Sequence, residues 1–297
     1  MTYAERQAGA PYDAGDFLYA GWDYGAPYSL DPLNGVSVDL KTAQSVNQIG
    51  TTVEQQSVAG VYRELIIDFW RTDGEAQAKK FLDALPYFTK GTMYLGDKWF
   101  CRFVLSKTPY TKQLEPYPRL DIMLYCEKPF WYDLNRQSYL LGGLGFSFPA
   151  NYSVHQYRSR TNESTNCKNP GSLPVGFTAT LSCSEIVKNP CIRDVAHDTF
   201  IGLTGFTMQP GTTVEFYQTE TGRLAVKQTV VNKDNPTQPE EKNIFSYLDE
   251  DSTLTELRAG DNWLLLSADA GETALQAEIS FYPMYAGILP EVISNAT

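Results

Sequence analysis

The residues of this sequence that are capable of catalysis are few and poorly placed for it. Its two histidines, His155 and His197, stand in polar or turn-like segments, and neither accompanies a Gly-x-Ser-x-Gly sequence that would present a nucleophilic serine. Acidic residues cluster at Asp249–Asp251, but adjacent carboxylates on one loop do not flank a bond as a glycosidase requires. We interpret this cluster as a solvated turn, and the sequence predicts no catalytic residue and no enzyme.

Metal and cofactor sites are also not predicted. The five cysteines form no Cys-x-x-Cys pair, and neither histidine has ligand spacing to them. There is no dinucleotide-binding glycine motif and no P-loop. An odd number of cysteines leaves at least one free thiol, and we expect reduced, mostly buried side chains, with a Cys183–Cys191 pairing left open. The cysteines are Cys101, Cys126, Cys167, Cys183 and Cys191.

Saccharide binding is the more serious chemical alternative, because an exposed aromatic ring stacks on a sugar while Asn, Asp and Arg bond its hydroxyls. By residue type the candidates for glycan stacking are Tyr217, Trp263, Tyr282 and Tyr285. Trp263 begins an apolar strand, so we expect this side chain to pack in the core.

Charge and composition exclude several classes of protein. The formal net charge of −11 over 297 residues argues against nucleic-acid binding, because phosphate contacts favour basic surfaces. The N-terminus has no apolar signal-peptide region, and no apolar run is long enough for membrane insertion. We therefore expect a protein made in the cytoplasm, which either stays there or leaves the cell inside a larger particle.

The first half of the chain predicts an antiparallel sheet covered by one helix. Arg63–Trp70 alternates as a strand, and Glu75–Phe88 has apolar residues at helical spacing before Pro86 ends or kinks it. A hairpin about Gly96 and a returning strand at Leu120–Tyr125 follow. Phe17–Tyr24 is a further candidate strand, and Val36–Gln56 holds one or two edge strands or a loop. The predicted helical stripe is Ala78, Phe81, Leu82 and Leu85.

The second half predicts a β-sandwich or jelly roll of short strands separated by Pro and Gly turns. The fold class is thus mainly β, with an α+β N-terminal domain over residues 1–147 and a C-terminal sandwich over 148–297. Three glycines within Ser138–Ser147 suit the crossing between them. The predicted strands are Val175–Ser182, Cys191–Val195, Phe200–Met208, Thr213–Gln218, Leu224–Val231, Asn243–Phe245, Trp263–Ser267 and Ala274–Tyr285.

The order of turns and strands over most of the chain resembles the distal tail protein family of tailed phages. The resemblance opens on an Asn-x-Gly turn, an apolar strand and an Asn-Pro turn, and "YCEKPFWYD" resembles the close of the family's N-terminal domain. Val36–Gln56 departs from the pattern and leaves the first strands in doubt. The matching segments are Tyr125–Asp133, Asn169–Gly171, Asn189–Pro190, Gly211, Asp249–Ser252 and Leu257–Asn262, which reads "LRAGDN".

The resemblance implies a structural protein of the virion tail tip or baseplate. Copies would form a hexameric ring through their N-terminal domains, in contact with the tail tube protein, a tip hub or tail-associated protein and a receptor-binding protein. The C-terminal domain would resemble a carbohydrate-binding module in fold, which does not by itself give binding. The alternative function is a carbohydrate-binding protein that recognises a cell-wall or surface glycan, and it predicts a monomer with measurable saccharide affinity.

Overall fold

A computed structural model of the chain describes residues 28–32, 34–46, 49–69, 74–111, 118–142, 144–147, 156–159, 164–219, 222–230 and 239–288. These residues form several antiparallel sheets and a single α-helix, so the predicted mainly β fold class is confirmed. They divide into two compact units, one with residues up to 134 and from 285 onward, the other with residues 135–284. The candidate strand Phe17–Tyr24 lies outside the described residues.

The described residues of the first unit before residue 135 form eight strands and the helix. In chain order they are β1 (Tyr28–Asp31), β2 (Val38–Ala43), β3 (Thr52–Val58), β4 (Val61–Asp68), α1 (Gly74–Ala84), β5 (Lys90–Leu95), β6 (Trp99–Thr111), β7 (Arg119–Cys126) and β8 (Trp131–Asp133).

The main sheet of this unit buries one face against α1. Its strand order is β1-β4-β7-β6-β8, with β5 also paired to β6. Alternation in β4 places Leu65 and Ile67 in the core, while the ring of Phe81 on the helix meets Phe69 edge-on at 5.4 Å. The predicted helix-on-sheet packing is therefore present, because one apolar stripe covers one apolar sheet face.

The helix is shorter and its stripe narrower than predicted. It spans Gly74–Ala84 and ends before Pro86, whose ring is incompatible with a continuing helix. Ala78, Phe81 and Leu85 are buried, whereas Leu82 is 37% exposed and lies at the edge of the covered stripe. Helical spacing therefore identified the stripe, but not its width.

The last described residues return to the first unit. The ring of Tyr285 meets that of Trp99 edge-on at 5.0 Å, and the side-chain oxygen of Asn34 accepts a hydrogen bond from the backbone N–H of Ile288 at 2.9 Å. The second unit is consequently inserted between residues 134 and 285. The chain thus passes between the two units twice, after residue 134 and after residue 284. The domain boundary at residue 147 that we expected from the sequence stays a prediction.

The second unit is built from short strands. They are β9 (Gln137–Gly142), β10 (Leu144–Ser147), β11 (Gln156–Ser159), β12 (Thr165–Asn166), β13 (Val175–Gly176), β14 (Thr178–Cys183), β15 (Val187–Lys188), β16 (Cys191–Asp194), β17 (Thr199–Gly202), β18 (Thr207–Met208), β19 (Thr212–Gln218), β20 (Leu224–Val230), β21 (Glu240–Asn243), β22 (Glu256–Leu257), β23 (Trp263–Ser267) and β24 (Leu275–Phe281), with β25 (Met284–Tyr285) at the return.

Two sheets of this unit enclose one core. The six-stranded sheet runs β21-β20-β19-β14-β24-β9, and the four-stranded sheet runs β12-β23-β16-β17. Leu181 and Phe216 from the first sheet share a buried cluster with Ile192 and Leu264 from the second. Because each strand alternates inward and outward residues, both sheets have one apolar inner face, as a β-sandwich requires.

Three predicted strands are interrupted in the structure. Val175–Ser182 divides at Phe177, and Phe200–Met208 divides near Gly205, which has φ 71°. Ala274–Tyr285 divides at Pro283, which has no N–H to donate to a neighbouring strand. In contrast, Trp263–Ser267 has the predicted bounds. Among the helices of the described residues, none is long and apolar enough to cross a membrane.

Candidate assembly surfaces

Within the described part of the chain, the β2–β3 hairpin of the first unit is exposed on both faces. Every residue of β3 is exposed, and so is every residue of β2 except the half-buried Ala43. Val38 and Leu40 alternate with polar residues along β2, and Val38 lies directly opposite Val58 of β3. The exposed fractions of Val38, Leu40, Val53 and Val58 lie between 46% and 56%.

Such a hairpin gains little from its own contacts. An isolated two-stranded ribbon is marginally stable in water. The ion pair between Lys41 and Glu54, 3.8 Å long, is exposed and adds little. This is the segment, Val36–Gln56, that sequence reasoning left open, although the alternation of Val38 and Leu40 with polar residues was a signal of a strand.

A second exposed apolar surface follows α1. Tyr87 and Phe88 are 75% and 86% exposed, and their rings meet edge-on at 5.3 Å. Sequence analysis assigned both residues to the helix and so missed this surface. Clustered aromatic side chains on a protein surface are typical of contact sites, because they bury a large area for little conformational entropy.

The predicted glycan-stacking residues belong to different sheets. Tyr217 lies in the six-stranded sheet, with the Lys227 Nζ atom 5.7 Å from its ring centre, and Tyr282 follows β24 of the same sheet. Trp263 lies in the other sheet of the sandwich, and Tyr285 belongs to the first unit. The assignment of Tyr217, Trp263 and Tyr282 to glycan stacking stays a prediction.

Trp263 does not pack in the core, contrary to our expectation. Its side chain is 45% exposed, whereas the next residue, Leu264, is fully buried. Alternation therefore points Trp263 outward beside its cross-strand partner Asn166. Asn166 donates from Nδ2 to the Asp261 carboxylate at 2.9 Å, so a polar pair borders the exposed indole ring.

Asp249 and His197, which were considered as catalytic candidates, take part in hydrogen bonds within turns. Asp249 accepts hydrogen bonds from the Thr204 hydroxyl at 2.6 Å and from the Asp251 backbone N–H at 2.9 Å, and these bonds lower the pKa of Asp249. The Nδ1 atom of His197 lies 2.6 Å from Oδ2 of the buried Asp194. The other carboxylate oxygen of Asp194 accepts a hydrogen bond from the Ala196 N–H within the same turn. His155 lies outside the described residues, within which no group of His, Cys, Asp and Glu is arranged to hold a metal.

The five cysteines are free thiols, and two of them meet in the core of the first unit. The Sγ atoms of Cys101 and Cys126 lie 3.9 Å apart. A hydrogen bond from Cys101 and the nearby Arg63 guanidinium lower the pKa of Cys126 to about 7. Arg63 is itself buried and donates to the backbone oxygen of Pro129 at 2.8 Å, so it stabilises the chain reversal before β8.

Comparison with known proteins gives a match in structure alone. No family model and no curated protein sequence matches the chain. In structure it is similar to the Dit protein (gp 19.1) of phage SPP1, described as a paradigm of the hub adsorption apparatus in phages infecting Gram-positive bacteria. The two are 12% identical, with a TM-score of 0.56 over 86% of this chain and 91% of that chain.

The chain has the distal tail protein fold. It is also similar to a chain of the phage P2 baseplate in its activated conformation with Ca, at 13% identity and a TM-score of 0.49 over 88% of this chain and 91% of that one.

Two motifs of the distal tail resemblance meet in the second unit. The backbones of Asn169 and Gly260 exchange hydrogen bonds of 2.8 and 2.9 Å. Asn262, which is fully buried, donates to the carbonyl oxygens of Cys167, Arg258 and Gly260 and accepts from the Arg258 N–H. "NPG" and "LRAGDN" thus form one joint that holds the backbone in place, which explains their residue types without a binding role.

Proposed function

We propose that this protein is a structural component of a phage tail tip, a distal tail protein whose copies close into a hexameric ring. The observation that carries the proposal is the β2–β3 hairpin, whose apolar side chains are exposed and whose faces no other described residue covers. The shared fold with the Dit protein of SPP1, described as a hub protein, supports the same function.

A ring requires a heterologous interface, in which one surface of each copy meets a different surface of the next. The hairpin supplies one such surface, since its exposed apolar side chains suit contact with another chain. Burying it in a neighbour would also protect a β-rich chain from aggregation. The first unit would therefore carry the ring.

The ring would occupy the tail tip of the virion. There it would join the tail tube protein to a tip hub or tail-associated protein, and it would carry the receptor-binding protein of the host-adhesion apparatus. The protein would act by position and contact, with no catalytic step of its own.

Light scattering with negative-stain imaging tests this proposal. We expect a mass near six times 33.3 kDa and particles with a central hole. Replacing Leu40 with Asp places a charge on the hairpin and is expected to return the protein to the mass of one subunit. Val195→Asp, at a residue of the second unit with a similar exposed fraction, is the matched control and should keep the ring. A wild-type protein that stays a monomer over the whole concentration series contradicts the proposal.

Glycan binding is a second candidate, favoured by the exposure of Trp263 beside the Asn166–Asp261 pair. A saccharide ring would stack on the indole and bond these polar side chains. Calorimetric titration with cell-wall oligosaccharides tests it, with Trp263→Ala expected to abolish binding. Phe245→Ala, which removes a half-exposed ring outside the predicted stacking residues, should leave binding unchanged. Absence of heat with the wild-type protein at millimolar saccharide would remove this candidate.

A further inference from the structure

The turn after α1 holds a bulky residue in an unfavourable backbone conformation. Thr89 closes the turn, because its N–H and its hydroxyl both donate to the Pro86 carbonyl oxygen, at 3.3 and 2.6 Å. Phe88, the third residue of this turn, has φ 68°. Glycine or asparagine is favoured at such a position, since a Cβ atom crowds the backbone there.

The side chain of Phe88 does not pack in the core of the protein. Phe88 is 86% exposed, and its ring contacts that of Tyr87, which is 75% exposed. Strained residues cluster at functional sites, and one whose side chain is exposed is available for contact with another molecule. We refer to Tyr87 and Phe88 as the aromatic knob.

We propose that the aromatic knob docks on the β2–β3 hairpin of a neighbouring copy of this chain. The inference rests on the ring function proposed above and names the two surfaces that would meet. Both surfaces belong to the first unit, and they are different, as a heterologous interface requires. Aromatic side chains at the centre of an interface carry much of its free energy, and the aliphatic side chains of the hairpin offer apolar area for them.

The two segments have formal net charges of opposite sign, −1 for Val38–Val58 and +1 for Gly74–Lys90. The described hairpin residues carry Asp39 and Glu54 against Lys41 alone. The segment 74–90, which contains the helix and the knob, carries an excess of lysine although the whole chain has a formal net charge of −11. Complementary charges at the rim of an interface select the partner and its orientation. The charged residues of this segment are Lys79, Lys80 and Lys90 against Glu75 and Asp83.

The variant Phe88→Gly tests whether the side chain of Phe88 is needed for docking between copies or for folding of the subunit. Glycine adopts φ 68° without strain, so we expect the melting temperature of the variant to equal or exceed that of the wild type. At the same time we expect the apparent dissociation constant of the ring to rise at least about tenfold, because an interface anchor is lost. Tyr87→Ser should have the same direction of effect. Phe245→Ala, which removes a half-exposed ring from the second unit, is the matched control.

Lysine-reactive cross-linking tests which surface receives the knob. Subunits labelled with ¹⁴N and ¹⁵N are mixed and assembled, so that links between copies are distinguished by mass. We expect mixed-isotope links between Lys41 of the hairpin and Lys90 beside the knob, and their loss in Phe88→Gly. Links of Lys90 to other segments, with none to Lys41, would overturn the proposed pairing.

The results separate the two proposals. A ring that forms equally well in the wild type, in Phe88→Gly and in Tyr87→Ser would overturn the docking of the knob and leave the ring function intact. A wild-type protein that forms no ring would overturn both.

Discussion

The two units of this protein treat exposed apolar surface in different ways. In the second unit, both sheets turn their apolar faces to one core, and the edge strand β21 consists of the exposed polar residues Glu240–Asn243. In the first unit, the β2–β3 hairpin leaves apolar side chains exposed. Charged residues on an edge strand discourage pairing with another chain, and exposed apolar side chains favour contact with one.

This difference indicates where contact with other chains is expected. A unit that buries its own apolar surface needs no partner for stability. A unit that exposes it gains stability when the surface is covered, and large exposed apolar patches on soluble proteins are usually contact sites. The hairpin and the aromatic knob therefore have a claim to an assembly role, although the second unit also exposes single apolar side chains, among them Ile186, Val195 and Trp263.

The largest expected effect is on the free energy of unfolding, when a leucine is changed to alanine in the sandwich core and, for comparison, in the hairpin. Leu181→Ala removes a fully buried side chain from the sandwich core and is expected to cost about 3–4 kcal/mol in the free energy of unfolding. Leu40→Ala in the hairpin should cost less than about 0.5 kcal/mol, because that side chain is already half exposed. Urea denaturation of the two variants measures both values, and comparable costs would show that the hairpin is packed within its own chain.

A somewhat smaller effect is expected at the polar joint of the second unit. Asn262→Ala leaves several buried backbone groups without their partner and should cost about 3 kcal/mol. Asn243→Ala, at an exposed residue whose side chain accepts one bond from the Phe245 N–H, should cost about 1 kcal/mol or less. Equal melting temperatures for the two variants would contradict a structural role for the "LRAGDN" motif.

The smallest effect concerns the exposed carboxylate of Asp249. Hydrogen bonds from Thr204 and Asp251 lower its pKa in the folded state. Its stabilising contribution is therefore present above the pKa of the unfolded carboxyl group and is lost as the pH falls through the folded value. Thr204→Val should raise the pKa of Asp249 toward its ordinary value, as measured by carboxylate NMR titration. An unchanged titration curve would remove Thr204 as the main cause.

Several elements were predictable because their signals are local. Alternation in Trp263–Ser267 gave the bounds of β23, and the apolar spacing about Phe81 identified the buried side of α1. Turns at Asn169–Gly171 and Asn189–Pro190 also stand where the sequence indicated. Each of these features depends on residues within one strand, one helical turn or one tight turn.

The candidate surfaces were not predictable in the same way. The hairpin residues Val38 and Leu40 have the alternation of a half-buried strand, yet neither face is covered. The aromatic knob was assigned to the helix, because Pro86 is compatible with either an ended or a kinked helix at that point. Whether an apolar side chain is covered depends on which distant segment packs over it.

The sequence by itself determined the fold class, the alternation of the strands and the position of the helix, because these follow from local periodicity and turn chemistry. Only the tertiary structure decided that Trp263 points outward, that Asn262 bonds the backbone of Cys167 and that the chain returns to the first unit at Tyr285. Alternation defines two faces of a strand, but the face that is buried is the one that another sheet covers. That choice is made by contacts between residues far apart in the chain, which no local pattern contains.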